Sequence, residues 1–597
     1  MNLFEKNIKL LRGHDPELAR RASETCSSAD IVAVAAKNGM PVPQVRSILL
    51  HSSYDPGREA QKTVSGFVPD NGRRTVVFGL GFGYHVLELL KMQSGGICVI
   101  EPSLSLFRAF LEHVDLKPFI PETRFLIGEP VPKILARNRP SDWSLLVHKP
   151  SAQISDGYFR QLERGLELTR YLESQRLRIL VVNPIYGGSL PTARFCAKAL
   201  ENLGHEAESV ECEKYSDSFF AIKDATPNKQ NSETLYNSFM LMMGNVILAK
   251  AADFKPDLVL ALAQAPLTRE TIARLKTLNV PVAFWFVEDF RTLTYWPEVA
   301  GDYDYFFTIQ KGEFFDKLAR QKAKNVYYLP QACSSAVHRP LDLDGEEMRN
   351  YRADLSFMGA PYYNRIQTFP RLMDFDFKIW GEGWGPNSPL GKHLQNTGRR
   401  VSTEECVKIY NAARINLNLH SSTCHEGVNP VGDFVNPRTF EIAACSAFQL
   451  VDERRELGDL FRVGEEIVAF KDVEDLREKI RYYLEHEEER TAISARGRER
   501  VLREHTMERR MSEALIHIFS DRFAELKARV DGRRKPVDLH IEQAGADTEL
   551  GRYLGRFKDV KNFSLKTVVD GIQEGEGVLS KNELLLLMLD QVVKEGA

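Results

Sequence analysis

An α/β protein built from several parallel-sheet units is the fold class this sequence predicts, and three observations carry it. An apolar run followed by a glycine-rich turn and a helix occurs twice, at Thr75 to Leu90 and again from Arg178 to a helix near Pro191. Short apolar strands then alternate with amphipathic helices as far as Val451, the rhythm of a doubly wound parallel sheet. Finally, 597 residues exceed what one core serves; at roughly 150 residues per domain they imply about three or four units.

Taken in order, residues 1–70 are mixed and polar and read as a helical and hairpin cap, ended by Gly72, Arg73 and Arg74. Residues 71–176 read as a Rossmann-like accessory domain. Its strand Thr75 to Phe78 runs into the turn of Gly79, Gly81 and Gly83, and its second strand, Ile97 to Ile100, ends at Glu101. Strands at Arg124 to Ile127 and Ser144 to His148 follow, then a connector helix from about Asp156 to Glu173. Residues 177–340 open with a strand from Arg178, a turn through Gly187, Gly188 and Ser189, and Pro191 in a first helical turn, where proline is well placed. Alternation continues through Leu258 to Leu262, a helix Thr268 to Thr277, Val282 to Phe286 and Tyr305 to Ile309. Residues 341–530 repeat it with strands Leu355 to Met358, Phe377 to Trp380 and Ile415 to Leu419, a helix Thr403 to Ala412, and helices from Val473 to about Val530. Residues 531–597 form a short, charged helical tail whose apolar run, Leu584 to Leu589, needs a partner surface.

The 79 basic and 82 acidic side chains nearly cancel, at a net charge of −3, so no global field favours nucleic acid or an anionic membrane. Eight cysteines without a C-x-x-C pair argue against zinc and against a disulfide framework, and fit a reducing cytoplasm. The amino-terminal stretch carries charges among its apolar residues, and no apolar run reaches about 18 residues. A secretory signal and a transmembrane segment are therefore not expected.

The segment NPRTFEIAACSAFQLVDE, Asn436 to Glu453, is the most informative. Arg438 can fork onto phosphate oxygens and Glu441 can accept two hydrogen bonds from a ribose diol. Both precede a small-residue helix start at Ile442 to Cys445 and the strand Phe448 to Val451. A helix N-terminus there suits a diphosphate. This stretch, within Arg178 to Ser520, resembles the carboxy-terminal lobe of a GT-B glycosyltransferase, closest to the CgeB-like, spore-maturation group. Ser446 stands where that group usually has glycine, and a left-handed backbone there would be strained.

The resemblance implies a GT-B pair of Rossmann-like lobes preceded by the accessory domain, with terminal helices crossing back onto the first lobe. It implies a nucleotide-diphosphate-sugar donor as co-substrate, a protein or glycan acceptor, and no bound metal. Asp433, eight residues before Glu441, falls where related retaining enzymes hold a second carboxylate. Gly359 ends a strand, and Arg365, six residues on, falls where similar enzymes place a cation on the donor diphosphate. Gly187 and Gly188 let the backbone approach a ligand closely. Glu288 and Asp289 end the strand AFWFVED, where an acceptor base would stand, although Asp289 also suits a helix N-cap. His420 follows the strand NLNLH and is placed to grip a sugar or phosphate. The D-x-D look of Gly301 to Phe306 is discounted as a metal motif.

Gly79, Gly81 and Gly83 with Glu101 resemble motif I and the following acidic residue of Rossmann-like methyltransferases, and mark a possible second nucleotide site. The same pattern is similar to the central domain of motility-associated flagellin glycosylation factors. Two further readings stand beside the glycosyltransferase: an S-adenosylmethionine-dependent methyltransferase at the amino-terminal domain, and a non-catalytic scaffold.

Overall fold

The protein, here a computed structural model, is described over residues 2–595 except 70, 71, 93–95, 121, 139, 386, 534, 535, 561, 562 and 576. The boundary expected at 70–71 and the last two residues of the tail lie outside the described residues. The chain forms two compact units, Met1–Tyr171 and a second beginning at Leu172.

In the first unit, Asn2 and Asp15 cap helices Leu3–His14 and Pro16–Glu24, each side chain accepting an early backbone N–H. A small antiparallel sheet follows, β1 (Ile31–Ala35), β2 (Pro41–Val45) and β3 (Ile48–Leu49). The parallel sheet comprises β4 (Arg74–Phe78), β5 (Ile97–Glu101), β6 (Thr123–Ile127) and β7 (Trp143–Val147), in the order β6-β5-β4-β7. β5 is buried along its whole length, as a strand inside a parallel sheet must be. The order is that of a Rossmann sheet stopped at its fourth strand. After β7 the chain turns into helices Lys149–Ile154 and Asp156–Ser174 instead of making another crossover.

The second unit holds two parallel sheets. β8 (Arg178–Val182), β9 (Glu206–Val210), β10 (Leu258–Leu262), β11 (Val282–Phe286), β12 (Tyr305–Thr308) and β13 (Val326–Tyr328) lie in the order β13-β12-β11-β10-β8-β9. β14 (Ala353–Met358), β15 (Phe377–Trp380), β16 (Ala413–Asn418), β17 (Gln449–Asp452) and β18 (Val468–Phe470) lie in the order β15-β14-β16-β17-β18. Each sheet winds in both directions from its first strand, β8 or β14, and such a reversal opens a crevice at the carboxyl ends of the strands.

The chain then returns to the first lobe. Met507 N–H donates to Cys333 O at 2.8 Å and Cys333 N–H donates to His505 O at 3.1 Å, so the two crossings between lobes run side by side. Helix Met507–Phe519 packs on helix Leu190–Asn202, with Asn202 Nδ2 donating to Glu508 Oε1 at 2.9 Å. Arg510, 2% exposed, donates to Pro330 O at 2.7 Å, and Arg533 pairs with Asp257. In the tail, Leu584, Leu585, Met588 and Leu589 are 48 to 63% exposed, while Leu586 and Leu587 are half-buried, so one face of the apolar run is left uncovered among the described residues.

Candidate functional site

Helix Pro437–Ala444 starts earlier than its patterning suggests. Asn436 is the N-cap, accepting the Thr439 N–H at 3.2 Å, and Pro437 takes the first position. Arg438 and Glu441 therefore stand inside the helix, three residues apart on one face, and not ahead of a start at Ile442. Arg438 is half-buried, and it makes no hydrogen bond or ion pair with any described residue. Glu441 accepts from Tyr410 Oη at 3.3 Å and lies 3.9 Å from His338 Nε2. Past the helix end, Ser446 takes φ +55°, the left-handed conformation that glycine adopts without strain.

Buried groups fix this helix. His420, fully buried, donates from Nδ1 to Asp452 Oδ1 at 2.6 Å, while its Nε2 accepts the Asn436 N–H at 2.9 Å. Burial draws its pKa down to about 4, so the ring is neutral. With both ring nitrogens engaged, His420 holds the N-cap in place and, contrary to the sequence expectation, offers no atom to a sugar. Burial opposes ionisation of Asp452, but Arg454 and His420 overcome it and hold that carboxyl well below the usual range.

Arg365 is 4% exposed. Its Nε and Nη2 donate to Leu419 O at 3.1 and 2.8 Å, and its Nη1 donates to Ala360 O at 2.8 Å. It thus ties the loop after β14 to the end of β16. Gly359, at φ +154°, permits the approach, since a Cβ there would lie 3.2 Å from Arg365 Nη1. Burial, then the charge of Arg438, draws the Arg365 pKa down to about 9, so the two cations act on each other.

On the first lobe, Gly187 takes φ +105°, where a Cβ would collide with Gln264 Oε1, a buried atom without a partner. Gly188 faces open space. Glu288 follows β11 and is half-buried; burial pushes its carboxyl up to about 7, partly offset by a hydrogen bond from Ser189. Asp289 is otherwise engaged, accepting from Gln310 Nε2 at 2.9 Å, Thr292 Oγ1 at 3.0 Å and Arg291 N–H at 3.2 Å. It shapes the turn.

Asp433 faces the first lobe. Arg291 Nη1 and Nη2 each donate to it at 3.1 Å, and Gln310 Nε2 donates at 2.9 Å. These bonds, with Arg400 Nη2 to Gly187 O at 2.9 Å and Lys311 to Asp459 at 3.0 Å, pin the lobes together. Asp433 is therefore a lobe-joining residue in this conformation. Arg291 and Gln310 escape the sequence reading because neither belongs to a local pattern; only folding brings them to Asp433. Asp302 and Asp304 pair with Arg269 and Lys276, which explains the D-x-D look without a metal.

The expected second nucleotide site is filled by the protein itself. Leu80 and Phe82 are fully buried, and a Cβ on Gly81 would lie 2.5 Å from His51 Nε2. Gly83 packs against the Phe119 ring, and Gly79 against Ser151 and His148. Glu101, 1% exposed, accepts the Leu80 N–H at 3.0 Å on one oxygen and the Ser103 N–H at 2.9 Å on the other. Its carboxylate closes the turn instead of meeting a ribose.

Two doubly wound lobes, a crevice lined by strand ends and terminal helices returning to the first lobe define the GT-B class of glycosyltransferases. Residues 364–516 match a family model described as glycosyl transferase-like. Spore protein CgeB of Bacillus subtilis (strain 168) is 30% identical over 261 residues, covering 42% of this chain and 78% of that protein. The chain belongs to this CgeB-like family. Among solved structures, sucrose-phosphate synthase (tll1590) from Thermosynechococcus elongatus aligns at 13% identity and a TM-score of 0.40, over 60% of this chain and 100% of that one. Anabaena Alr3699/HepE, solved in complex with UDP-glucose, aligns at 8% identity and a TM-score of 0.39, over 59% of this chain and 100% of that one. No helix of the described residues is long and apolar enough to cross a membrane.

Proposed function

We propose that the chain transfers a hexose-type sugar from a nucleotide-diphosphate donor to a hydroxyl of a protein or glycan acceptor, without a bound metal. The observation that carries this reading is Arg438, half-buried and unpaired on the first turn of helix Pro437–Ala444, with Glu441 three residues on. A half-buried cation without a partner among the described residues is free to take an anion. In this reading Arg438 binds the diphosphate, Arg365 adds charge while bracing the loop, and Glu441 takes the ribose diol. Fixed cations facing the departing diphosphate supply most of the catalysis.

The test is a thermal-shift panel of the full chain with UDP, GDP, CMP, dTDP, their sugars and S-adenosylmethionine. One nucleotide diphosphate is expected to raise the melting temperature. Arg438→Ala should weaken that ligand by about ten-fold or more, the worth of a charged hydrogen bond. It should leave the unliganded melt almost unchanged, since Arg438 has no partner to lose. S-adenosylmethionine is expected to give no shift. An unchanged affinity in both Arg438→Ala and Glu441→Ala would remove the basis for this site.

Glu288 is the base we assign to the acceptor hydroxyl, which makes the reaction inverting. Its carboxyl must be ionised to accept a proton, so activity should rise with pH through about 7. Glu288→Gln should lower kcat by about 10² to 10⁴ and abolish that acidic limb. A variant that keeps the wild-type profile excludes Glu288 as base and turns attention to a retaining route.

A further inference from the structure

His51, His85 and His148 converge in the first unit, and no step of the proposed transfer uses them. His51 follows the β1–β3 sheet, His85 lies in the first turn of helix Tyr84–Met92, and His148 follows β7. One nitrogen or more from each of the three lies within 4.8 Å of the others, and all three rings are buried. The His85 and His148 rings stack at 4.4 Å between centroids and 8° between planes, and His51 lies 4.9 Å from His148. The cluster sits at the carboxyl ends of β4 and β7, where α/β sheets carry their sites.

Two of the rings are already oriented as metal-bound imidazoles are, with one N–H fixed on a backbone carbonyl and the other nitrogen turned elsewhere. His85 Nε2 bonds Gly79 O at 2.9 Å, and its buried Nδ1 has no partner. His148 is hydrogen-bonded to the Leu50 backbone, and its Nδ1 lies 2.7 Å from Ser151 Oγ, a hydroxyl that can rotate away. A buried nitrogen left unsatisfied calls for an explanation, and ligation supplies one. His51 Nε2 accepts the Phe82 N–H at 2.9 Å, so ligation through that atom would release Phe82 and loosen the glycine turn.

We propose that His51, His85 and His148 form a binding site for a divalent transition-metal ion of the kind imidazole prefers, such as zinc or cobalt. Carboxylate-seeking cations such as magnesium or calcium would not be held by three imidazoles. All three residues belong to the first unit, and the site is independent of the donor reading.

The full chain, stripped with a chelator, is loaded with cobalt and separately with zinc, washed, and measured for metal content, cobalt absorption and melting temperature. Wild type should retain the ion stoichiometrically, show the absorption of nitrogen-ligated cobalt, and melt higher when loaded. His85→Gln should retain at least about ten-fold less. Ser151→Ala removes the hydroxyl competing for His148 Nδ1 and should hold the metal as tightly as wild type or more so. Failure of wild type to retain either ion overturns the proposal whatever the variants do. Equal retention by folded His85→Gln and His51→Gln chains overturns it as well. If His85→Gln does not fold, the cobalt spectrum and retention of wild type decide alone.

Discussion

Asp452→Asn is expected to destabilise the second unit by about 3–5 kcal/mol, the effect of removing one partner of a buried ion pair. Asp452 and Arg454 are both fully buried at the side chain, and Asp452 also accepts from His420 Nδ1 and from the His420 N–H at 2.8 Å. The substitution preserves shape but leaves the Arg454 charge without a counterion, while Arg454 Nε and Nη1 already lack partners. Urea unfolding should show a lower midpoint with an unchanged slope. Asp452→Asn combined with Arg454→Met should recover much of the loss, because the uncompensated charge is gone. The single variant should also weaken donor binding, since His420 links Asp452 to the N-cap of the Arg438 helix. A loss below about 1 kcal/mol would mean that the pair is not desolvated as described.

Two buried histidines should make the stability of the second unit depend on pH between about 7 and 4.5. Burial lowers both His420 and His517 from the ordinary histidine value to about 4. For a histidine whose pKa falls on folding, the unfolded chain binds the extra proton, so stability is full above about 6.5 and declines as pH falls towards 4. Each ring accounts for about 2 kcal/mol by pH 5 and about 3 kcal/mol at the limit. His338, also lowered by burial, adds in the same direction. Glu288 and Glu456, which burial raises to about 7, act in the opposite sense over the same range, because a carboxyl raised on folding gains stability as pH falls. Comparing wild type with His517→Gln by calorimetry between about pH 7 and 5 isolates one histidine from these carboxyls. The stability of wild type relative to His517→Gln should fall by about 2 kcal/mol over that range. A difference between the two chains that stays constant would contradict a buried neutral ring at His517.

The strand–helix rhythm was legible because buried parallel strands are continuous apolar runs. Leu258 to Leu262 and Val282 to Phe286 are buried at every position and could hardly be anything else. β9, EAESV, was not legible, since it pairs with β8 alone at the sheet edge and is mostly half-buried. Helix Lys229–Phe254 was missed because its apolar residues are spread around the cylinder instead of forming one stripe. Within the site, Arg438 and Glu441 belong to a local motif and were readable. Arg291 reaches Asp433 across 142 residues, a pairing only the fold creates. The glycine turn at Gly79 misled for a physical reason. Glycines that let a cofactor approach also let the protein's own histidines approach.

The return of helix Met507–Phe519 to the first lobe has a consequence for synthesis of the chain. Met507, Met511, Leu515 and Phe519 are at most 2% exposed. The first lobe's sheet is complete in sequence at Tyr328, yet the helix that covers helix Leu190–Asn202 starts at Met507. At roughly 5–20 residues per second a ribosome needs on the order of 10–35 s to cross that interval. During it the first lobe exposes an apolar face, and chaperone dependence should concentrate there. Nascent chains halted before residue 507 should be captured by hydrophobic-binding chaperones, and chains released after Arg533 should not.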